Sequence, residues 1–134
     1  MQTKSVLTAV DIKKIAAAAE AEALANNWAV AIAIVDDGGH LLWFQRIDGV
    51  APISSHIAPA KAKTAALGRR ETKIYEDIIN NGRTAFLSVP YIDGMLEGGV
   101  PIIVDGQVIG AVGVSGVKSE QDAQIAKAGI AALV

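Results

Sequence analysis

The dipeptide Asp105-Gly106 lies between two runs of valine and isoleucine, and it constrains the fold more than any other feature of the sequence. A two-residue type I′ turn requires positive φ at both central positions, and Asp-Gly adopts that geometry readily. Residues 98–116 therefore predict a β-hairpin.

The second strand of this hairpin carries glycine at positions 110, 113 and 116. Glycine weakens a strand, so its presence indicates that a helix, a second subunit or a ligand comes close to the backbone. At Gly110 and Gly113 we expect a helix to pack closely on the sheet. At Gly98-Gly99 and Ser115-Gly116, the outer ends of the hairpin, close packing and the approach of a ligand remain equal alternatives.

The composition is typical of one globular domain spanning residues 1–134, with 51% hydrophobic and 19% charged residues. So large an apolar fraction in a small chain favours burial between subunits, and we expect a homo-oligomer. The net charge of −2, without a basic stripe, argues against a nucleic-acid partner.

Three further absences from the sequence narrow the function. Charged residues interrupt every apolar run, so no membrane partner is expected. The first residues lack the apolar stretch of a signal peptide, and we expect a cytoplasmic protein. The sequence has no cysteine, which excludes a disulfide framework and a thiolate nucleophile or metal ligand.

Apolar periodicity and turn residues predict the order helix, hairpin, two helices, hairpin, helix. A capping box at Thr8 and Asp11 indicates where the first helix begins, and Ser54 or Ser55 is expected to cap the second. Hairpins with helices between them are typical of an α+β domain with an antiparallel sheet. The predicted elements are a helix at 9–26, strands at 28–35 and 40–46, helices at 54–68 and 72–80, the hairpin at 98–116 and a helix at 119–133, with a loop at 83–96 that has room for a short strand or turn.

Polar side chains cluster where the predicted strands end and the second predicted helix begins. If the two hairpins are neighbours, these groups converge around the backbone of Gly98 and Gly99. Amides at glycines and at a helix start favour a carboxylate or phosphate, and an arginine would complete such a site. The candidate ligand-binding residues are Arg46, Asp48, Ser54, Ser55, His56, Lys61, Gly98, Gly99 and Ser115. For Arg46 and Asp48, a salt bridge that braces the loop is an equal alternative.

The two histidines offer the most direct metal chemistry. His56, at a helix start beside two serines, is a candidate ligand to haem iron or a proton shuttle. The alternative is an imidazole that is simply hydrogen-bonded. His40, in a predicted hairpin turn, is the weaker candidate, and two histidines without an acidic partner at fixed spacing do not predict a zinc site.

Six motifs occur in order along nearly the whole chain: Ala33-Ile34-Val35-Asp36 with Gly39, Arg46-x-Asp48-Gly49, Ser54-Ser55, Lys61-Ala62-x-Thr64-Ala65, Gly98-Gly99-x-Pro101-Ile102 and Ile109-Gly110-Ala111-Val112-Gly113-Val114-Ser115-Gly116. Together they resemble the GlcG/HbpS family. That family includes the C-terminal domain of PduO proteins and the OrfY-type proteins of glycerol and diol dehydratase gene clusters.

The resemblance implies a profilin-like α/β/α sandwich with a five-stranded antiparallel sheet. It also implies assembly into dimers and larger rings, often octamers. Some members bind haem or ferric iron, and secreted members degrade haem. The adenosyltransferase activity of PduO belongs to its other domain, whose ATP-binding pattern this sequence lacks.

Three functions follow as alternatives. The first is an oligomeric cytoplasmic binding protein for haem or a related small anionic ligand, with His56 as the iron ligand and Arg46 or Lys61 paired with a carboxylate. The second is an enzyme that degrades haem or assists glycerol, diol or glycolate metabolism, although the sequence shows no nucleophile–base pair. The third is a structural or regulatory interaction module without a ligand.

Overall fold

The computed structural model describes residues 1–133, which form one antiparallel sheet and the helices that cover its two faces. The sheet has the strand order β2-β1-β4-β3, so β2 and β3 are its edges. The elements are α1 (Ala9–Ala25), β1 (Ala31–Asp36), β2 (Leu41–Arg46), α2 (Ser54–Gly68), α3 (Thr72–Asn80), a 3₁₀ helix (Thr84–Ser88), β3 (Gly99–Val104), β4 (Gln107–Ser115) and α4 (Ser119–Ala131).

The predicted α+β class and the order of elements are confirmed, but the five-stranded sheet is wrong: within residues 1–133 the sheet has four strands. The loop at 83–96, where the sequence left room for another strand, packs against α2 and does not join the sheet. Pro90 has no backbone N–H to donate, and the N–H of Gly94 donates to the side chain of Thr64 at 3.2 Å. A Cβ on Gly94 would lie 2.4 Å from the backbone of Ala60, so this segment packs directly on the helix.

The local signals at the second hairpin and the first helix are confirmed. Asp105 and Gly106 have φ of 51° and 74°, as a type I′ turn requires. Thr8 and Asp11 form the reciprocal hydrogen bonds of a capping box.

The start of α2 differs from the prediction. Neither Ser54 nor Ser55 is the N-cap residue, because a preceding turn leads directly into the helix with Ile53 in helical geometry. The amides of Ser54 and Ser55 donate to the carbonyls of Ala51 and Pro52. These amides are therefore not available to an anion.

The two faces of the sheet are packed differently. On one face α2 contributes Ala58, Ala62, Ala65 and Ala66 to a cluster of small side chains. A Cβ on Gly113 would lie 2.1 Å from the carbonyl oxygen of Ala58, which confirms the close packing of a helix expected there. At Gly110 that expectation is wrong, since its close neighbours are the carbonyl of Val35 and the side chain of Leu7.

On the other face, α1 and α4 cover a core of larger side chains that includes Ile15, Ile32, Ile34, Val114 and Ile125. At about 25 cal/mol per Å², burial of such side chains supplies most of the driving force for folding. No helix in residues 1–133 is long and apolar enough to cross a membrane.

Candidate functional site

The strand register brings the predicted site residues to one end of the sheet. Ala31 on β1 pairs with Arg46 on β2 and with Ser115 on β4, the two neighbouring strands. The carbonyl of Gly98 accepts the N–H of Val114, which places Gly98 in the same row. The hydroxyl of Ser115 lies 3.4 Å from that of Ser54, so α2 begins at this end as well.

The row nevertheless divides into a buried group and an exposed group. Three strand spacings of about 4.8 Å separate Arg46 from Gly98, or about 14 Å in all. Lys61, Gly98, Gly99, Ser54 and Ser115 are buried, whereas Arg46, Asp48 and His56 are exposed.

Lys61 is at the centre of the buried group, in an internal ion pair. Its Nζ donates to Oδ2 of Asp122 at 3.1 Å and to the carbonyl of Val114 at 3.0 Å, and both charged side chains are only 3% exposed. A Cβ on Gly98 would lie 2.7 Å from this Nζ and 2.8 Å from the carbonyl oxygen of Val114, and the φ of 129° at this position also favours glycine. The ammonium is thus held by the chain itself rather than presented to solvent.

Asp122 is the residue that the sequence analysis missed. It lies 61 positions from Lys61 in the chain, and no local pattern connects the two. Burial raises the pKa of the Asp122 carboxyl, and the nearby Lys61 ammonium and the Val117 N–H offset part of that increase. Because an unpaired buried charge is costly, the pair ties α2 to α4 and β4.

Gly98 and Gly99 are covered by helices. The N–H of Gly99 donates to Oγ1 of Thr72 at 2.8 Å, and a Cβ on Gly99 would lie 2.4 Å from the carbonyl oxygen of Lys61. Of the two alternatives left open for these glycines, the structure shows close packing.

The exposed group offers side chains that the chain does not engage. Among residues 1–133, Arg46 and Asp48 form no ion pair with each other, and the ring of His56 makes no hydrogen bond. By contrast, Nδ1 of His40 lies 3.1 Å from Oδ1 of Asp36, so its imidazole is partly engaged in the β1–β2 turn. His56 is therefore the histidine whose two ring nitrogens are both available to a ligand, whereas Nδ1 of His40 is engaged.

A strip of apolar surface runs along β2 beside this group. The register aligns Leu41, Phe44 and Arg46 with Val35, Ala33 and Ala31, which face α2. Since α2 lies over β1, β4 and β3 and scarcely reaches β2, this strip is not covered: Leu41 is 56% exposed and Phe44 is half-buried. The hydroxyl of Ser55, on the first turn of α2, is buried without a hydrogen-bond partner.

Several cavities lie elsewhere on residues 1–133, away from His56. One of about 570 Å³ is lined by polar residues near the N-terminus and by Asp105 and Gln107. A more apolar one of about 300 Å³ lies between α3 and the 83–96 loop, and a third of about 190 Å³ lies beside Asp48 on the side of α1. None of these three is lined by His56. Within residues 1–133 there is also no cluster of three acidic or histidine side chains that could hold a metal ion.

Comparison with known proteins gives consistent matches over nearly the whole chain. The family model described as "Haem degrading protein HbpS-like" matches residues 7–131. Protein GlcG of Escherichia coli strain K12 is 58% identical over 115 residues, covering 86% of this chain and 85% of GlcG.

Two solved structures share the fold at lower identity. The Klebsiella pneumoniae protein ORFY superposes with a TM-score of 0.90 at 32% identity, covering 98% of this chain and 93% of ORFY. The structure described as a PduOC:Heme complex superposes with a TM-score of 0.84 at 30% identity, covering 96% of this chain and 95% of that one. One of these similar chains was thus solved with haem.

Proposed function

This chain belongs to the HbpS-like family, as its motifs predicted, and we propose that it is an oligomeric binding protein for haem or a related planar anionic ligand. A ligand-binding role is supported by relatives that match nearly the whole chain, one of which was solved as a haem complex. The observation that carries the proposal is the free imidazole of His56, exposed on the first turn of α2.

The residues around His56 fit haem in chemistry. Neutral imidazole is a common axial ligand to haem iron. Ile53, three positions before His56, is 59% exposed and supplies apolar surface beside it. Arg46 lies at the same end of the sheet, and its guanidinium suits a propionate carboxylate. Bound haem would supply the redox and ligand chemistry, while this chain's residues bind and orient it.

The fit in shape is incomplete within one chain. Sites for molecules of this size are usually concave and bury most of the ligand, and none of the three cavities described above includes His56. A single chain would therefore hold haem weakly and leave it open to solvent. The cytoplasmic location and the auxiliary role in glycerol, diol or glycolate metabolism stay predictions.

A hemin titration of the purified protein tests the proposal. We expect a shift of the Soret band that saturates at one equivalent per chain. His56→Ala should weaken binding at least tenfold, by loss of the iron ligand, whereas His40→Ala serves as the matched control and should titrate like the wild type.

Three results would count against parts of this proposal. No Soret shift in the wild type would overturn haem as the ligand. Equal titrations for wild type and His56→Ala would remove His56 as its ligand. Loss of the bound haem spectrum with release of a bile pigment, when a reductant is added in the presence of dioxygen as the oxidant, would favour the haem-degrading enzyme instead.

A further inference from the structure

The two edges of the sheet differ in their unpaired backbone groups. Ile47 donates its N–H to Val30, so odd-numbered residues of the adjoining part of β2 bond to β1. The N–H and C=O groups of Phe44 and Arg46 must then point away from β1, towards the free edge. Within residues 1–133 these groups have no hydrogen-bond partner.

The first part of the β3 edge, at Gly99 and Pro101, is closed by the chain itself. The bond between Val114 and Gly98 shows that Gly99 and Pro101 point away from β4. Oγ1 of Thr72 accepts the N–H of Gly99 at 2.8 Å and lies 3.4 Å from its carbonyl oxygen. Pro101 has no N–H to offer, which is a common way for a protein to protect an edge strand.

An open edge that is also apolar is a surface for another strand. β2 carries leucine, tryptophan and phenylalanine and has neither proline nor lysine, the residues that usually discourage pairing. An unpaired and apolar edge of this kind indicates that a partner covers it.

We infer that β2 pairs antiparallel with β2 of a second copy of this chain, and that the groove formed between the two α2 helices is the ligand site. A two-fold axis perpendicular to the sheet near Phe44 brings the outward-pointing groups of the two strands together and keeps both α2 helices on the same side. The Arg46 end of one strand then lies next to the β1–β2 turn of the other copy, which carries Asp36 and Asp37. Lys4 of the same copy pairs with Asp37, whereas within residues 1–133 no lysine or arginine pairs with Asp36, so the Asp36 carboxylate is the charge that complements Arg46.

The dimer supplies the enclosure that a single chain lacks. Each α2 is centred over β4, so five strand spacings of about 4.8 Å separate the two helix axes, or about 24 Å. Subtracting a helix diameter of about 10 Å leaves a groove about 14 Å wide. Leu41 and Phe44 of both copies form its apolar floor, the two α2 helices form its walls, and Arg46 supplies positive charge.

This groove suits a flat apolar ligand with carboxylates. Such a molecule can lie on the floor of the groove while its acidic groups reach the arginines. The inference rests on the proposed function for the identity of the ligand, but the pairing of the edges is a separate statement.

Cysteine crosslinking tests the pairing, because the sequence contains no cysteine. Phe44→Cys places a thiol near the proposed axis, where the Cα–Cα distance across two paired strands suits a disulfide. Leu42→Cys, two residues away on β2, tests whether the two strands pair in a shifted register. Ile103→Cys, an exposed position on β3, is the control at the other edge of the sheet. We expect mild oxidation to convert most of Phe44→Cys or Leu42→Cys, but little of Ile103→Cys, to a covalent dimer. Equal yields from both edges would overturn the pairing.

Charge substitution tests the composite site. Phe44→Lys should dissociate the dimer in sedimentation and weaken hemin binding at least tenfold, while Ile103→Lys, a change to lysine at the other edge of the sheet, should do neither. A Phe44→Lys protein that remains dimeric would overturn the pairing, and a monomeric one that binds hemin as tightly as the wild type would overturn the groove as the site. In the second case the proposed haem binding would stand. If the wild type forms the crosslink but binds no hemin, the proposed function fails and the pairing stands.

Discussion

The β3 side and the β2 side of the sheet both consist of short apolar strands, but they differ in how closely helices pack on them. On the β3 side, α2, α3 and α4 approach the backbone so closely that glycine is needed at 98, 99 and 113. On the β2 side, within residues 1–133, α2 scarcely reaches the strand, so that Leu41 is exposed and Phe44 is only half-buried. The difference indicates that stability is concentrated on the β3 side and that the β2 side is free to bind.

The largest effect should come from filling the contact between α2 and β4. Gly113→Val would place a side chain 2.1 Å from the Ala58 carbonyl, so α2 would have to move away from the sheet. We expect the free energy of unfolding to fall by about 4 kcal/mol or more, enough to unfold many domains of this size. Gln45→Val on β2 is the matched control and should fold normally in circular dichroism and urea unfolding. A folded Gly113→Val protein of near-native stability would contradict the described packing.

The buried ion pair should give the next largest effect. Lys61→Met leaves the Asp122 carboxylate buried without its cation, which typically costs about 3–5 kcal/mol. The double variant Lys61→Met/Asp122→Leu removes both charges and should recover much of that loss in urea unfolding. If the double variant is as unstable as the sum of the two single changes, the two residues do not interact and the pair has no role in stability.

The side chain that closes the β3 edge should matter less. Thr72→Val keeps the shape of the side chain but leaves the buried N–H of Gly99 without an acceptor, which costs about 1–3 kcal/mol. Thr72→Ser retains the hydroxyl and is the control. A loss in Thr72→Val no larger than in Thr72→Ser would mean that the hydroxyl does not secure this edge.

Protonation of Asp122 should make the free energy of unfolding depend on pH, with a smaller effect than the substitutions above. Because burial raises its pKa above 3.8, the folded state binds this proton more tightly than the unfolded state. That contribution is fully present below the unfolded-state pKa and is lost as the pH rises through the folded-state pKa. Relative to Asp122→Asn, the wild type should therefore lose stability in urea unfolding as the pH rises from about 3 through this range. A relative gain would mean that the attraction of Lys61 outweighs desolvation.

Residue pattern alone predicted the parts of this fold that depend on neighbours in sequence. The Asp105-Gly106 turn and the Thr8–Asp11 capping box are set within four residues, and both are confirmed. The fifth strand came from resemblance alone and is absent from residues 1–133, because Gly94 bonds to α2 instead of the sheet. At Ser54 and Ser55, the turn that precedes the helix displaced the expected cap.

The candidate site was harder to predict because it depends on contacts between distant segments. Lys61 was expected to face a ligand, and only the folded chain shows that Asp122 reaches it. The sequence brought Arg46 and Ser115 together only on the condition that the two hairpins are neighbours, and the pairing of β1 with β4 meets that condition. Whether a strand edge is open, however, depends on which helices cover it, and no periodicity within β2 reports that.

The smallest effect on stability should be seen at Arg46, on the open side. Within residues 1–133 its guanidinium forms no ion pair that could be lost, so Arg46→Ala should change the free energy of unfolding by no more than about 0.5 kcal/mol. The same change should weaken self-association in sedimentation, because it removes the charge that meets the acidic turn of the second copy. Lys14→Ala, the same change of charge on the exposed side of α1, is the control and should alter neither quantity. A large loss of stability in Arg46→Ala, with self-association intact, would place this residue among the structural contacts and reverse the contrast between the two sides of the sheet.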